Sequence, residues 1–537
     1  MKKSRKLLTK LFALVLSLLL TVPMFTGCMA GDDEDEYIPE GATVIYMSIW
    51  DSGYGVKWME DIIKAYNAKE TGVYVKMDPT ALRDKAILPV MAKSDYDIVV
   101  ADNSGVVKES IYPNIIGYDS TYVEITDVMQ SKYGTEDVTL EEKMLDDVKN
   151  FAKVNNKYYF MPLMVNYWGM TYNADILKNY YLPRTSYEFE KLCKELPSSI
   201  KPIIFSGDTD YWDPVLWTWW AQYAGYDEYK AFWNAEDVTG KKTADIFASK
   251  ARLRALETTE RMLRPSNGYC DSDSTGLEYM QAQIKYLSGG YAFMANGGWL
   301  EAEMREIFAG QQHATIDYLE TPVISAIVEK LSFYTDTGVD FYSLDATKMA
   351  QYDAKLCEIV SYVDGGQTGT KPSGVTEGDI AIVKGARDIF YLDGVSFAAM
   401  IPCYAEHVTE AKDFLKFLYS NEAAKIMLDG KIGAMMPIEH NFLSETEKAN
   451  LPSTIKTVSN LLSNKKIIHT FLNSPYVYQG GLADFRTAGT MEALFGSVNS
   501  KDRKTPMEIF MEDYTYYHTG SAWKNLLESV NDAPIIG

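Results

Sequence analysis

The sequence is poor in the residues that build metal centres and disulfide scaffolds. Its 537 residues include 5 His and 5 Cys. No two cysteines form a C-x-x-C pair, and the histidines lack the spacing of a zinc site or a catalytic triad. The widely spaced Cys193, Cys270, Cys357 and Cys403 leave one or two disulfide bridges open but argue against a disulfide scaffold. We therefore predict no metal and no cofactor.

The sequence also lacks the short motifs of phosphate and nucleophile chemistry. No Gly-rich phosphate loop with a lysine occurs, so any ATP hydrolysis would belong to a partner. The segment Gly394–Ala398 lacks the last glycine of a nucleophile elbow. The segment Asp271–Gly276 is similar to the start of a calcium loop, but position twelve of that loop is Ala282. These absences favour a binding protein over an enzyme.

Positive charge is scarce. The chain has 52 Lys and Arg against 74 Asp and Glu, which gives a formal net charge of −22. An acidic surface repels phosphate backbones and anionic headgroups. We therefore expect neither nucleic acid nor an anionic lipid surface as a partner.

A long hydrophobic run occurs only near the N-terminus. A basic segment precedes Leu11–Val22, and Phe25-Thr-Gly-Cys28 follows it. This order predicts a secretory signal over residues 1–27. Its end resembles a bacterial lipobox, with Phe25 where leucine is usual, and predicts lipidation of Cys28. Secretion with Cys28 cut away is the alternative.

Two expectations follow for the rest of the chain. Beyond Val22 no stretch of 18 apolar residues occurs, so we expect no transmembrane helix. Residues 28–41 contain the charged block Gly31–Glu36, which is typical of a flexible spacer. We therefore predict an acidic tether that holds the folded part away from the outer face of the cell membrane.

The stretch Gly290–Leu300 is the most informative part of the folded region. An apolar run that includes Tyr291 and Phe293 stops at Asn296-Gly-Gly, and Trp299 follows. Glycines at the end of a strand allow close backbone approach, which is common beside ligand pockets. The alternative is a core strand followed by a turn, with Trp299 packed inward.

The first folded residues predict the start of an α/β unit. Thr43–Ile49 is typical of a strand, and Trp58 begins a run of apolar residues at helical spacing. Tyr96–Ala101 predicts a further strand. Polar and aromatic residues follow the strand ends, where ligands bind in open parallel sheets. These residues are Trp50, Asp51, Tyr54, Asp102 and Asn103.

Five short motifs then occur in a characteristic order. They are Asn156–Pro162, Tyr172–Asp175, Pro183–Glu188, Ala292–Trp299 and Asp393–Pro402. With the lipobox, this order resembles the extracellular solute-binding proteins of family 1, the sugar-binding subunits of bacterial ABC importers. Asn156 stands where that family has glycine more often, and the spacing within Ala292–Trp299 is one residue looser.

The resemblance implies an α/β fold with two lobes, of the periplasmic-binding-protein type II or maltose-binding-protein-like kind, which closes around a cleft by hinge bending. The first lobe is predicted to contain 42–160 and 391–430. The second lobe is predicted to contain 161–390 and 431–537, with an insertion at about 321–386. Chain crossings between the lobes are expected near Tyr158–Trp168, Tyr391 and Gly430–Pro437.

Local signals predict several helices. Asn173 is expected to cap a helix at Asp175, and Thr185 or Ser186 is expected to cap the next one. Val323–Phe333 is predicted to be helical. The tail Pro506–Asn531 is predicted to be helical and to pack on the second lobe.

A sugar offers an apolar face and a rim of hydroxyls, so its sites combine flat aromatic rings with planar polar groups. The candidate ligand-binding residues are Trp50, Asp51, Tyr54, Asp102, Asn103, Trp168, Trp212, Asn296, Trp299 and Asp393. In the dense segment Tyr211–Trp220, we expect Trp212 to face the ligand and Trp217 and Trp220 to be core. Trp219 is expected to be exposed or is left unassigned.

The sequence thus favours a monomeric, lipid-anchored, extracytoplasmic receptor that binds a carbohydrate and delivers it to ABC permease subunits with their ATPase. No covalent chemistry is expected. A secreted glycan-active hydrolase with two carboxylates is the enzyme alternative. A surface lipoprotein that grips glycan without transport is the other.

Overall fold

The computed structural model describes residues 37–80, 95–102, 122–209, 211–468, 474–478, 480–482, 494–495 and 503–530. The predicted signal segment, Cys28, the acidic block and Asn103 lie outside these ranges. None of the helices within the described ranges is both long and apolar enough to cross a membrane.

The strands in chain order are β1 (Thr43–Trp50), β2 (Val73–Thr80), β3 (Ile98–Asp102), β4 (Lys153–Val154), β5 (Lys157–Tyr158), β6 (Met161–Asn173), β7 (Lys201–Ile204), β8 (Tyr291–Gly297), β9 (Ile316–Leu319), β10 (Ile389–Met400) and β11 (Lys466–Ile468).

The α-helices in chain order are α1 (Lys57–Asn67), α2 (Thr126–Met129), α3 (Leu140–Lys143), α4 (Asp146–Phe151), α5 (Ala174–Leu177), α6 (Ser186–Glu195), α7 (Asp213–Ala224), α8 (Tyr226–Trp233), α9 (Lys250–Leu263), α10 (Tyr279–Leu287), α11 (Leu300–Met304), α12 (Ala346–Asp364), α13 (Glu377–Arg387), α14 (Val408–Leu418), α15 (Asn421–Asp429), α16 (Glu445–Asn450), α17 (Ser453–Asn464), α18 (Pro475–Tyr478), α19 (Pro506–Thr519) and α20 (Ala522–Glu528).

The N-terminal α/β unit forms as the sequence predicts. β1 pairs in parallel with β2 on one side and with β3 on the other. Helix α1 follows β1 and buries one face at helical spacing. Its buried residues are Trp58, Met59, Ile62, Ile63 and Tyr66.

Two long strands connect this sheet to the second one. The first part of β6 pairs antiparallel with β10, and its last part, from Trp168, pairs with β8 and β9. β10 in turn pairs with β3 near its C-terminal end. The crossings expected at Tyr158–Trp168 and Tyr391 lie on these strands. The third lies where Val165 pairs with Met435.

Two large hydrophobic cores flank these strands. The first contains Ile45, Trp58, Met164 and Phe414, and the second contains Phe189, Trp219, Phe293 and Leu356. We call the parts of the chain around them the first lobe and the second lobe. A mixed α/β fold with two lobes is therefore confirmed.

The chain segments divide between the cores somewhat differently from the prediction. Met435, Ile455 and Leu461 pack in the first core, although residues from 431 onward were assigned to the second lobe. This part of the predicted boundary therefore needs correction, because α17 carries its buried face to the first core. Phe510 and Leu526 of the tail pack in the second core, as expected.

The predictions of individual helices and their caps are partly confirmed. The Asn173 side chain accepts hydrogen bonds from the backbone of Asp175 and Ile176, and Thr185 accepts one from Glu188. Both predicted caps are confirmed. The helix predicted for Val323–Phe333 is only a short 3-10 helix, Ser325–Lys330. It packs within the second core.

The four cysteines beyond residue 28 are all free. Cys193, Cys270 and Cys357 are buried, and Cys403 is exposed. Burial raises the pKa of the Cys193, Cys270 and Cys357 thiols. These thiols are therefore poor nucleophiles and belong to the packing of the second lobe.

Candidate functional site

A group of aromatic side chains lies where β8 ends beside the middle of β6. The Trp299 ring meets the ring of Trp168 edge to face at 5.6 Å and that of Tyr211 at 5.2 Å. Tyr211 also meets Tyr279 at 6.0 Å. We call Trp168, Tyr211, Tyr279 and Trp299 the aromatic cluster. All four side chains are only partly buried, so the cluster retains ring surface toward solvent.

The glycines of β8 determine where Trp299 lies. Gly297 pairs with Trp168 across the sheet, and the Trp299 ring covers Gly297 so closely that a Cβ there would lie 2.3 Å from the ring. A Cβ on Gly298 would lie 2.1 Å from the carbonyl oxygen of Gly433. The sequence Asn296-Gly-Gly-Trp therefore serves close approach, as its composition predicts.

The polar atoms of this region are unevenly satisfied. The Trp168 indole Nε1 donates to the Tyr211 carbonyl oxygen at 3.1 Å. The Gln283 amide nitrogen donates to Glu303 Oε2 at 2.8 Å. Within the described residues, Trp299 Nε1 and Gln283 Oε1 are buried without a hydrogen-bond partner. A buried polar atom without a partner costs about 1–3 kcal/mol, and a ligand that bonded to these two atoms would recover that cost.

Glu303 connects this region to the first lobe. It lies in α11, whose buried residues pack against β7 and β8 of the second lobe. Its carboxylate touches Gly53, where any side-chain carbon would overlap it. Burial raises the pKa of the Glu303 carboxyl to about 7. The hydrogen bond from Gln283 acts in the opposite direction, and the charge of Glu278 raises the pKa further.

The first lobe presents a smaller aromatic surface. The Trp50 ring stacks on Phe397 at 5.6 Å with an interplanar angle of 12°, and the Tyr54 ring meets Phe397 edge-on at 6.3 Å. The Tyr54 hydroxyl accepts a hydrogen bond from the amide of buried Asn166. Asp51 follows directly after β1, and desolvation raises the pKa of its carboxyl.

The structure brings some predicted site residues together. Trp168 and Trp299 meet in the aromatic cluster. Trp50 ends β1, and Asp51 and Tyr54 follow it on the loop that contains Gly53, which Glu303 touches. Asp102 and Asp393 lie in β3 and β10 by their backbone, and their side chains lie outside the described atoms. Asn103 lies outside the described residues.

Two predicted ligand contacts do not lie on the cleft surface. Asn296 is fully buried, and its side-chain oxygen accepts a hydrogen bond from Gly297 N at 2.7 Å, so it stabilises the turn. Trp212 is 0% exposed and packs on Phe495 at 5.0 Å in the second core. We therefore leave both residues out of the proposed site.

The other tryptophans of α7 are also core. Trp217 and Trp220 stack at 5.8 Å in the second core, as predicted. Trp219 is fully buried, and its Nε1 donates to the Pro322 carbonyl oxygen at 3.0 Å. The sequence predicts Trp219 to be exposed or leaves it unassigned, and the exposed alternative is wrong, because α7 is buried on all sides and is not amphipathic.

Sequence reasoning missed four residues of this region: Tyr211, Tyr279, Gln283 and Glu303. Tyr211 directly precedes Trp212, which caps α7. These two neighbouring side chains point in different directions, Tyr211 to the aromatic cluster and Trp212 to the second core. Tyr279 and Gln283 lie four apart on α10 and therefore share a face. That spacing is a signal the sequence contained.

Comparison with known proteins supports the fold but not a sequence family. No protein-family model and no curated protein matches the sequence. Several solved structures match over most of the chain. Maltose-bound MalE3 of T. maritima is 14% identical, with a TM-score of 0.54, over 88% of this chain and 99% of that one.

Two further solved structures give similar values. An ABC substrate-binding protein from Listeria monocytogenes in complex with cycloalternan is 12% identical, with a TM-score of 0.55, over 88% of this chain and 98% of that one. An ABC transporter solute-binding protein from Thermotoga lettingae, bound with α-D-tagatose, is 14% identical, with a TM-score of 0.55, over 90% and 100%. The chain therefore has the two-lobe, maltose-binding-protein-like fold of solute-binding proteins.

Proposed function

We propose that this protein binds a carbohydrate between its two lobes and serves as the substrate-binding subunit of an ABC importer. One observation carries the proposal: at the lobe junction, a partly exposed aromatic cluster lies beside buried polar atoms for which the described part of the chain supplies no hydrogen-bond partner. The solved structures of the same fold support it, since their ligands include maltose, cycloalternan and tagatose.

The aromatic cluster suits a pyranose or furanose ring for a physical reason. The C–H face of a sugar packs against flat aromatic rings, while its hydroxyls need partners that donate and accept. Trp299 supplies a partly exposed side chain and, among the described residues, a donor without a partner. The edge-to-face packing of Trp168 and Tyr211 on Trp299 fixes the orientation of that ring.

Closure would follow from the two connecting strands. β6 and β10 join the lobes, and Glu303 of the second lobe already touches Gly53 of the first. A ligand that contacts both lobes binds the closed form more tightly, and this difference in affinity drives closure. Binding in this way needs no covalent step.

A glycoside hydrolase is the second candidate. The observation in its favour is the Glu303 carboxyl, whose pKa burial raises to about 7 beside an aromatic surface. A general acid needs such a pKa, but hydrolysis also needs a second carboxylate at a defined separation. Asp51 is the candidate for that second group, with its pKa also raised by desolvation.

Anchoring and delivery are further parts of the proposal. The lipobox-like sequence before Cys28 and the acidic tether after it support a lipoprotein on the extracytoplasmic face of the membrane. The expected partners are permease subunits with their ATPase. Replacing Cys28 by Ala should release the protein from the membrane fraction, and retention there would contradict the anchor.

A thermal-shift screen tests the proposed ligand class. The protein is heated with mono- and oligosaccharides, with peptides and polyamines as controls, and each stabilising sugar is checked for breakdown. A ligand that binds only the native state raises the melting temperature by mass action. Stabilisation by an intact sugar supports the receptor, stabilisation only by another solute discards carbohydrate, and breakdown of the sugar favours the hydrolase.

A further inference from the structure

The polar groups beside the aromatic cluster restrict the charge and the hydrogen-bonding capacity of the ligand. Gln283 is fully buried on α10, one turn after Tyr279 of the cluster. Its amide nitrogen is occupied by Glu303, and its oxygen has no partner within the described residues. Trp299 Nε1 is the second buried polar atom of this region without one.

These two atoms require opposite partners. An indole N–H only donates, and an amide oxygen only accepts. A hydroxyl can both accept from Trp299 and donate to Gln283, whether one hydroxyl or two meet them. A carboxylate can only accept, so it would leave Gln283 Oε1 buried without a partner.

Charge acts in the same direction. The Glu303 carboxylate accepts a hydrogen bond from Gln283. Burial raises the pKa of Glu303, and the negative charge of Glu278 raises it further. Desolvation raises the pKa of the Tyr279 phenol, and the negative charges of Glu303 and Glu278 raise it further. An anionic group bound here would add a further negative charge to a partly desolvated site.

We propose that Gln283, Glu303 and Trp299 form a subsite for uncharged hydroxyls, so that the protein accepts neutral sugars and rejects their acidic counterparts. This inference rests on the proposed function and names its ligand class more closely. Because the pKa of Glu303 lies at about 7, the rejection of acidic sugars should be strongest above that pH and weaker below it.

The test compares matched sugars with the full-length protein by titration calorimetry. The pairs are glucose with glucuronate, galactose with galacturonate, and digalactose with digalacturonate. For whichever pair binds, we expect the neutral member to bind at least tenfold more tightly at pH 8. We expect this ratio to narrow at pH 5.5, where the ligand acids are still ionised but Glu303 is protonated.

Two variants assign the effect to Glu303. Glu303→Gln should bring the two dissociation constants of a pair closer and remove the dependence of their ratio on pH. Glu306→Gln is the matched control, because Glu306 is exposed two residues beyond α11 and its substitution removes the same charge. It should leave the ratio unchanged.

The possible results distinguish a failure of the neutral-sugar subsite from a failure of carbohydrate binding itself. An acidic sugar that binds the wild-type protein as tightly as its neutral counterpart overturns the neutral subsite and leaves a carbohydrate receptor. If the ratio of the two dissociation constants in the wild-type protein is the same at pH 8 and pH 5.5, Glu303 does not cause the rejection of acidic sugars. This result can be read even if the Glu303→Gln variant fails to fold. Binding of no sugar in the panel or in the thermal-shift screen overturns both proposals.

Discussion

Two groups of tryptophans look alike in ring geometry and differ in accessibility. Trp217, Trp219 and Trp220 on α7 are buried with their neighbours in the core. Trp168 and Trp299 meet edge to face at a similar distance but stay partly exposed. Ring contacts therefore do not distinguish a packing cluster from a binding surface, whereas exposure does.

Polar partners refine this comparison. Trp219 Nε1 donates to a carbonyl oxygen, whereas Trp299 Nε1 has no partner among the described residues. Trp212 Nε1 has none either, although its side chain is fully buried. A missing partner alone therefore does not mark a site. At Trp299 it coincides with exposed ring surface and with the unpartnered oxygen of Gln283, and that combination points to a ligand.

The largest expected effect is on stability, through the buried tryptophans of α7. Trp219→Ala should lower the free energy of unfolding by about 3–5 kcal/mol, as large core truncations do. It also leaves the Pro322 carbonyl oxygen without its donor. Denaturant unfolding measures the change, and the sugar affinity of the folded fraction should stay within twofold. A loss below about 1 kcal/mol would place Trp219 outside the core.

The glycine contact behind Trp299 comes next. Gly298→Ala should destabilise the protein by about 1–3 kcal/mol, because the new Cβ overlaps the Gly433 carbonyl oxygen and the backbone must move. Gly276→Ala is the matched control, since no atom lies within 4 Å of a Cβ there. Equal stability of the two variants in thermal melts would show that this close approach does not exist.

Trp299→Ala affects binding more than folding. Loss of the ring and of the indole donor should weaken sugar binding at least tenfold, or about 1.4 kcal/mol. Trp523→Ala on α20, a partly buried tryptophan outside the aromatic cluster, should leave the affinity unchanged. Titration calorimetry measures both. An unchanged dissociation constant in a folded Trp299→Ala protein would remove its role as a sugar platform.

The last expected effect, spread over a range of pH, is the dependence of stability on the ionisation of Glu303. Its pKa is raised from 4.5 to about 7 in the folded protein, so the folded state holds a proton that the unfolded state releases. The contribution of Glu303 to stability is therefore complete below pH 4.5 and falls as pH rises to about 7. Glu303→Gln should flatten this fall in melts between pH 5 and pH 8, and Glu306→Gln should not.

The parts of the fold that follow from local patterns could be predicted from the sequence. Strand β1, helix α1 and the caps at Asn173 and Thr185 depend on periodicity and on side chains that bond to their own backbone. The position of Trp299 after two glycines was also local information. These features need no knowledge of the distant chain.

The rest depended on contacts that only the folded chain creates. Tyr211 and Trp212 are neighbours, and only the start and packing of α7 decide which one faces the cleft. Glu303 reaches the site because Gly53, about 250 positions away in sequence, leaves room for it. Asn296 looked like a ligand contact, but its oxygen is taken by the next backbone amide.

Titration of the full-length protein with neutral sugars, in parallel with Trp299→Ala, tests the central claim most directly. Chromatography follows whether the sugar stays intact. The account predicts a saturable isotherm with an intact sugar for the wild-type protein and at least tenfold weaker binding for the folded variant. Binding that is equal in both proteins, or cleavage of the sugar, would contradict a carbohydrate receptor built on the aromatic cluster.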